Sequence, residues 1–154
     1  MSPTSREALI QQFRTTNYIG LAMIGSVFIY AGLVLGISHG FIPVKLRPAL
    51  SIDAAANTKY ILLFISLGHY FIIKFFQKVA VKAANRLPAA SMLTFFLSEA
   101  VGIYGLVLFF LSGNANDFFI FMAVSLFYFF IFYPKYAEWE KLLAQESKTK
   151  SSHR

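Results

Sequence analysis

Long apolar runs separated by short polar segments dominate the pattern of this chain. Four runs approach or reach the length of about 20 residues with which an α-helix crosses the hydrocarbon core of a bilayer. They cover about 18–38, 60–76, 90–111 and 118–133. The first and fourth runs carry no charge and no polar stripe at helical spacing, unlike a soluble amphipathic helix. The pattern therefore predicts an all-α integral membrane protein, built as a four-helix bundle.

Composition supports a membrane location. Of 154 residues, 57% are hydrophobic, 18% are aromatic and only 14% are charged. A soluble chain of this size would have too little polar surface to cover that apolar mass. The chain has no cysteine, which excludes disulfides, iron–sulfur clusters, covalent haem attachment and thiol nucleophiles.

The segments that flank the four runs are polar and charged. We expect residues 1–17 to form an interfacial N-terminal arm with a short helix. We expect residues 134–154 to form a cytoplasmic tail that begins with a second short helix. Between them, 18–133 form the transmembrane domain. The fourth run is so rich in aromatic residues that we expect it to face lipid or a partner subunit.

The basic residues are distributed unequally between the two sides of the predicted bundle. Eleven Lys and Arg residues lie in the N-terminal arm, the connection between the second and third runs with its flank, and the tail, against three on the opposite side. This bias predicts that both termini are cytoplasmic. The net charge of +7 is therefore attributed to membrane topology and not to nucleic-acid binding. We expect the cytoplasmic membrane of a prokaryote.

A lone carboxylate, Glu99, lies near the middle of the third run, with no basic residue for more than a dozen positions on either side. A charged side chain at mid-bilayer costs on the order of 3 kcal/mol on insertion scales. Hydrocarbon favours the neutral form, so we expect Glu99 to be protonated and able to bind and release a proton.

His69, in the second run, falls at a similar depth to Glu99 in antiparallel neighbouring helices. Depth does not determine which faces point inward, so contact between Glu99 and His69 is open. Other side chains at or near this depth predict a supporting polar layer: Ser26, Tyr70, Tyr104 and Ser125.

Two sets of small residues predict close helix packing. Ser98, Gly102 and Gly105 share one face of the third helix, where another backbone can approach. Gly32 and Gly36 in the first run match the G-x-x-x-G spacing.

The segment "SEAVGIYGLVLFFLS", from Ser98 to Ser112, resembles the carboxylate helix of rotor-ring proteolipids, the c subunits of F-type and V-type ATPases. In that family a glutamate is followed by small or branched apolar residues and then by an aromatic residue, Gly, Leu and Val or Ile. Here the match runs from Glu99 to Val107, and the rest of the chain does not share it. The resemblance implies that Glu99 carries a proton.

Two functional interpretations remain open. In the first, Glu99 and His69 form a proton-binding or proton-relay site, and the protein is a proton-translocating component. In the second, Glu99 is a hydrogen-bonded packing residue in a non-catalytic accessory or assembly subunit. Neither a metal-ligand set nor a hydrolase motif is recognisable, so we expect no enzyme activity, metal or cofactor. The expected partners are the lipid bilayer and either further copies of the chain or a larger membrane complex.

Overall fold

The computed structural model describes residues 3–46, 48–80, 87–137, 139–141 and 144. The described residues form four long helices: α1 (Pro3–Ser38), α2 (Ile52–Ala80), α3 (Leu87–Ser112) and α4 (Ala115–Phe132). All four are long and apolar enough to cross a membrane. The prediction of an all-α chain with four such helices is therefore confirmed. Several basic residues used above lie outside the described residues: Arg47, Lys82, Arg86, Lys148, Lys150 and Arg154.

α1 joins two elements that the sequence pattern separates. The predicted arm, 1–17, and the first apolar run, 18–38, belong to one unbroken helix of 36 residues from Pro3 onward. At 1.5 Å per residue this helix is about 54 Å long, so it extends well beyond a hydrocarbon core of about 30 Å. Hydropathy marks only the part of a helix that is apolar, and for this reason it places the helix start too late.

α2 likewise begins eight residues before its apolar run. Ser51 precedes the helix, and its hydroxyl accepts a hydrogen bond from the backbone N–H of Ala54 at 3.3 Å. A serine at this position supplies an acceptor to the free N–H groups of the first turn. Asp53 lies in that first turn, where its negative charge is favourable.

A two-residue connection joins α3 to α4. Gly113 has a φ of +74°, and its N–H donates to the Phe109 carbonyl at 2.7 Å, which ends α3. Asn114 caps α4, since its side-chain oxygen accepts from the N–H of Asn116 at 3.1 Å. Such a short turn makes α3 and α4 antiparallel neighbours.

α3 is the central helix and packs against each of the other three. In α3 and α4, 44% and 39% of the residues in the most apolar stretch are buried, against 22% in α1 and 17% in α2. The expectation that α4 faces lipid or a partner does not hold for the face that packs inside the bundle. Phe118 and Phe121 are completely buried in the core, whereas Phe130 on the opposite face is 85% exposed.

Both described ends of the chain lie at the same end of the bundle. The ring of Phe13 packs edge-on against Tyr136 and Trp139, at centroid distances of 5.2 and 5.4 Å. Leu87, the first residue of α3, joins this cluster. In the tail, residues 136–137, 139–141 and 144 are helical. At the opposite end, the N–H groups of Ala49 and Leu50 donate to the Leu111 carbonyl.

Candidate functional site

Glu99 is hydrogen-bonded across the interface between α1 and α3. Its Oε1 lies 2.5 Å from the Ser26 hydroxyl and 3.0 Å from the Tyr30 hydroxyl. Ser26 and Tyr30 are four residues apart, so they lie on one face of α1, one turn above each other. The two hydroxyls therefore reach the same carboxyl oxygen, and Glu99 is half-buried between the helices.

The Ser26 hydroxyl has two acceptors within reach. Besides Glu99 Oε1, it lies 2.7 Å from the backbone carbonyl of Met23, three residues earlier in α1. A hydroxyl has one proton, so it donates to one of these oxygens at a time. When it donates to Met23, the close contact with Oε1 is a hydrogen bond only if Glu99 supplies the proton.

The same positions of the heavy atoms thus suit both protonation states of Glu99. In the ionised state, the carboxylate accepts from the Ser26 and Tyr30 hydroxyls. In the protonated state, Glu99 donates to Ser26 Oγ, Ser26 donates to Met23, and Tyr30 still donates to Oε1. Only hydroxyl rotation separates the two arrangements, and no helix moves between them.

His69 forms a second polar contact, between α2 and α3. Its Nδ1 lies 3.2 Å from the Leu97 carbonyl, and its Nε2 lies 3.4 Å from the Tyr104 hydroxyl. Because a carbonyl is only an acceptor, Nδ1 carries the proton in this contact. Nε2 is then the acceptor for the Tyr104 hydroxyl.

The structure does not bring Glu99 and His69 together. Leu97 and Tyr104 are seven residues apart and lie on one side of α3, facing α2. Glu99 comes two residues after Leu97, about 200° around the helix, and faces α1. The two side chains have separate hydrogen-bond partners, so no direct relay connects them.

Ser125 supplies a third contact, from α4. Its hydroxyl donates to the Ser98 carbonyl at 2.7 Å, and both serines are completely buried. Consecutive positions of α3 therefore accept a polar group from three different helices: Leu97 from α2, Ser98 from α4 and Glu99 from α1. A polar layer does cross the bundle at mid-depth, although its members do not form one continuous chain.

Tyr70 lies outside this layer. Its ring packs against Phe132 and Tyr128 of α4, at centroid distances of 5.5 and 6.5 Å. The Lys74 ammonium lies 5.8 Å from the centre of the Tyr70 ring and 5.6 Å from that of Phe132. Tyr70 therefore belongs to an aromatic and cationic contact between α2 and α4, and not to the Glu99 site.

The two sets of small residues differ in what they contact. A Cβ built on Gly105 would lie 2.6 Å from Cβ of Phe121, and one built on Gly102 would lie 3.4 Å from the Ser125 hydroxyl. The face formed by Ser98, Gly102 and Gly105 thus receives α4. No helix of the described part of the chain packs on the G-x-x-x-G pair: Gly32 is exposed, and Gly36 faces Ile42 of the following loop.

The sequence analysis missed a buried ion pair at the end of the bundle that contains the α3–α4 turn. The Lys59 ammonium lies 3.1 Å from Oδ1 of Asp117, whose other oxygen accepts from the Asn114 side chain at 3.1 Å. Asp117 is only 5% exposed. The sequence does contain an indication of this site: Asn114 is followed three residues later by Asp117 before an apolar run, a spacing that is typical of a helix start. Lys59, which directly precedes the second run, was the available cation.

Comparison of the chain with protein-family models, curated proteins and solved structures finds no match. The fold defines a class, that of small helical proteins with four helices of membrane-spanning length. Within the described residues, no three His, Asp or Glu side chains come together as metal ligands.

Proposed function

We propose that this chain is an integral membrane protein that binds a proton at Glu99 and acts as a proton-translocating component. The observation that carries the proposal is the position of the Ser26 hydroxyl, 2.5 Å from Glu99 Oε1 and 2.7 Å from the Met23 carbonyl. A site that served only to pack helices would need one protonation state. This one provides partners for both.

The setting of Glu99 supports the same function. Intramembrane carboxylates are rare and expensive, and they mark ion and proton pathways in many membrane proteins. Tyr30, also half-buried, adds a second hydroxyl to the carboxyl. The resemblance of Glu99–Val107 to the carboxylate helix of rotor-ring proteolipids points to the same chemistry. Because His69 faces away from Glu99, the proposal assigns the proton to Glu99 and gives His69 a separate role between α2 and α3.

We place the two termini on the cytoplasmic side of a prokaryotic cytoplasmic membrane. The supporting observations are the excess of basic residues on that side and the packing of Phe13 against Tyr136 and Trp139. That packing brings both described ends of the chain to one end of the bundle.

A second candidate function is that of an accessory or assembly subunit of a larger membrane complex. It is favoured by the fact that the Ser26 and Tyr30 hydrogen bonds hold α1 to α3. An interhelical hydrogen bond of this kind contributes about 0.6–2 kcal/mol to packing. In that function, titration of Glu99 is irrelevant, and a residue that keeps the hydrogen bonds replaces it without loss.

Modification by a hydrophobic carbodiimide tests the proposal, because the reagent reacts with protonated carboxyls in apolar surroundings. The labelled fraction of Glu99 in membranes is measured by mass spectrometry across a pH series, with Glu99→Gln as the blank. Gln can place its amide oxygen at the position of Oε1 and accept from both Ser26 and Tyr30, so it preserves packing but does not titrate. We expect labelling that declines as the pH rises, and proton uptake into proteoliposomes that Glu99→Gln abolishes. Labelling that does not vary with pH, with unchanged proton uptake in the variant, would favour the accessory function.

A further inference from the structure

The contact between α2 and α4 ends in an ammonium group that lies over two aromatic rings. The Lys74 ammonium of α2 is 5.8 Å from the centre of the Tyr70 ring and 5.6 Å from that of Phe132. Phe132 is the last residue of α4, whose 18 residues span about 27 Å, close to the hydrocarbon thickness of about 30 Å. Lys74 therefore lies at the boundary between hydrocarbon and headgroups, at the end of the bundle where both described chain ends lie.

A second lysine, Lys78, follows Lys74 by one helical turn. Both side chains are exposed, and their i, i+4 spacing places them on one side of α2, where two like charges repel each other. No carboxylate among the described residues lies within ion-pair distance of either ammonium. Within the part of the chain that the structure describes, the two lysines therefore have no acidic counter-ion.

The helix ends offset only part of this charge. Lys78 lies in the last turn of α2, and Lys74 lies level with the last residue of α4. Each helix C-terminus carries a partial charge of about −0.5, so the two ends together offset about one of the two positive charges. About one positive charge is left, which equals in size the single negative charge of a phosphodiester.

Apolar side chains border the two lysines on the outer surface of the bundle. Phe71 precedes Lys74 by three residues on the same side of α2 and is 71% exposed. In α4, Ile131 follows Tyr128 by three residues, and the Tyr128 hydroxyl donates to the Ser66 carbonyl of α2. Ile131 therefore lies on the side of α4 next to α2, where it is 43% exposed. We call this surface the α2–α4 lysine site, with the lining residues Tyr70, Phe71, Lys74, Lys78, Ile131 and Phe132.

We propose that the α2–α4 lysine site binds an anionic phospholipid, with the phosphate at the Lys74 and Lys78 ammonium groups and an acyl chain against the apolar border. Lysine binds phosphate as a point charge, and basic sites between transmembrane helices recognise anionic headgroups. A zwitterionic phospholipid would bring a cation of its own to the lysines, and free phosphate would make no use of the apolar border. The inference requires only that the helices cross a membrane, so it does not depend on proton binding at Glu99.

Native mass spectrometry of the purified full chain measures the binding. The protein is titrated in detergent with phosphatidylglycerol and, separately, with phosphatidylcholine of the same acyl chains, and we expect phosphatidylglycerol to bind more tightly. Lys74→Gln and Lys78→Gln should each raise the dissociation constant of the first phosphatidylglycerol about fivefold, the factor that corresponds to one basic residue near anionic lipid. The double variant should raise it about thirtyfold. Binding of phosphatidylcholine should not change in any of these variants.

Lys45→Gln is the matched control, because it removes the same charge from another exposed lysine, in the loop after α1 at the opposite end of the bundle. It should change the dissociation constant by less than about twofold, since a charge beyond the screening length of about 10 Å in 0.1 M salt has little effect. An excess of inorganic phosphate should not displace the lipid. Glu99→Gln should bind the lipid like the wild type, and circular dichroism confirms that each variant remains helical.

A photoreactive side chain identifies the occupant in native membranes. Benzoylphenylalanine is placed at Phe71 and, as a control on α1, at Ile29, since these residues are 71% and 72% exposed. We expect the lipid adducts at Phe71 to be enriched in anionic headgroups relative to those at Ile29. Equal headgroup composition at the two positions would overturn the inference, and a protein adduct at Phe71 would replace the lipid by that partner.

Three results of the titration would also overturn the inference. Equal binding of phosphatidylglycerol and phosphatidylcholine would exclude selection by charge. Lys74→Gln and Lys78→Gln variants that bind lipid as tightly as Lys45→Gln would exclude the two lysines as the ligands. Displacement by inorganic phosphate would make the site one for free anions. Because Glu99 is not part of this site, carbodiimide labelling of Glu99 is independent of all these outcomes, and the two proposals fail separately.

Discussion

Replacing Gly105 with alanine probes a close contact between the backbones of α3 and α4. A Cβ at this position would lie 2.6 Å from Cβ of Phe121, and 3.1 and 3.3 Å from the carbonyl oxygen and Cα of Phe118. Ordinary contacts between carbon atoms are about 3.5–4.0 Å long. Two of these neighbours are backbone atoms and the third is fixed to the backbone, so no side-chain rotation relieves the overlap. α4 would have to move by roughly 1 Å.

The magnitude follows from two opposing terms. Overpacking costs about 1–3 kcal/mol, and the upper end applies here because the obstacle is backbone. Alanine regains about 1 kcal/mol over glycine from helix propensity, so Gly105→Ala should lose about 2 kcal/mol. Gly68→Ala is the control, since a Cβ built on Gly68 meets no atom within 4 Å. Its free energy of unfolding should rise by about 0.5–1 kcal/mol.

Reversible unfolding in mixed micelles, followed by circular dichroism, measures both variants. The buried Trp139 is the only tryptophan of the chain and gives an independent fluorescence signal. We expect the two free energies of unfolding to differ by about 2.5–3 kcal/mol. If Gly105→Ala were as stable as Gly68→Ala, the close packing of α3 on α4 would be refuted.

The same unfolding assay tests two polar contacts. Lys59→Met leaves the buried carboxylate of Asp117 without its cation, which should lower the free energy of unfolding by about 1–3 kcal/mol. The loss is smaller than for a fully buried pair because Lys59 is partly exposed. Adding Asp117→Asn should recover part of the loss, and a Lys59→Met variant as stable as the wild type would contradict the ion pair. Ser125→Ala removes the hydrogen bond to the Ser98 carbonyl and should cost about 0.6–2 kcal/mol. Ser112→Ala is its control, because the Ser112 hydroxyl bonds within its own helix, and equal effects of the two serine variants would argue against an interhelical role for Ser125.

The helices could be predicted because an apolar run long enough to span a membrane has few stable alternatives to an α-helix. Their ends could not be read from hydropathy alone, since polar residues extend a helix as readily as apolar ones. The helix of the first run begins at Pro3 instead of near residue 18, and α2 begins at Ile52 behind the Ser51 cap. At α2 a local capping signal, and not hydropathy, marks the start.

The intramembrane carboxylate could be singled out from the sequence, but its partners could not. Depth along a helix follows from counting residues, whereas rotation about the helix axis depends on which neighbours pack against it. His69 shares the depth of Glu99 and faces the other side of α3, while Ser26 and Tyr30 of α1 reach the carboxyl. A partner on α1 is distant in the sequence and carries no spacing signal.

Glycine spacing alone does not predict which glycines contact another helix. Both glycine sets permit a close approach, but only Gly102 and Gly105 face a helix in this chain. The difference arises because the aromatic residues of α4 need a flat surface to pack against, and the Ser98–Gly102–Gly105 face provides it. The exposed Gly32 has no such neighbour among the residues that the structure describes.

Infrared difference spectroscopy of Glu99 tests the central claim most directly. The carbonyl stretching band of a protonated carboxyl is recorded for the wild type and for Glu99→Gln in lipid membranes across a pH series, and the two sets are subtracted. The account predicts a band that belongs to Glu99, is present at low pH and disappears reversibly as the pH rises, while the amide bands of the helices stay constant. A band that persists at every pH, or that is absent throughout, would show that Glu99 keeps one protonation state, and it would contradict proton binding at this site.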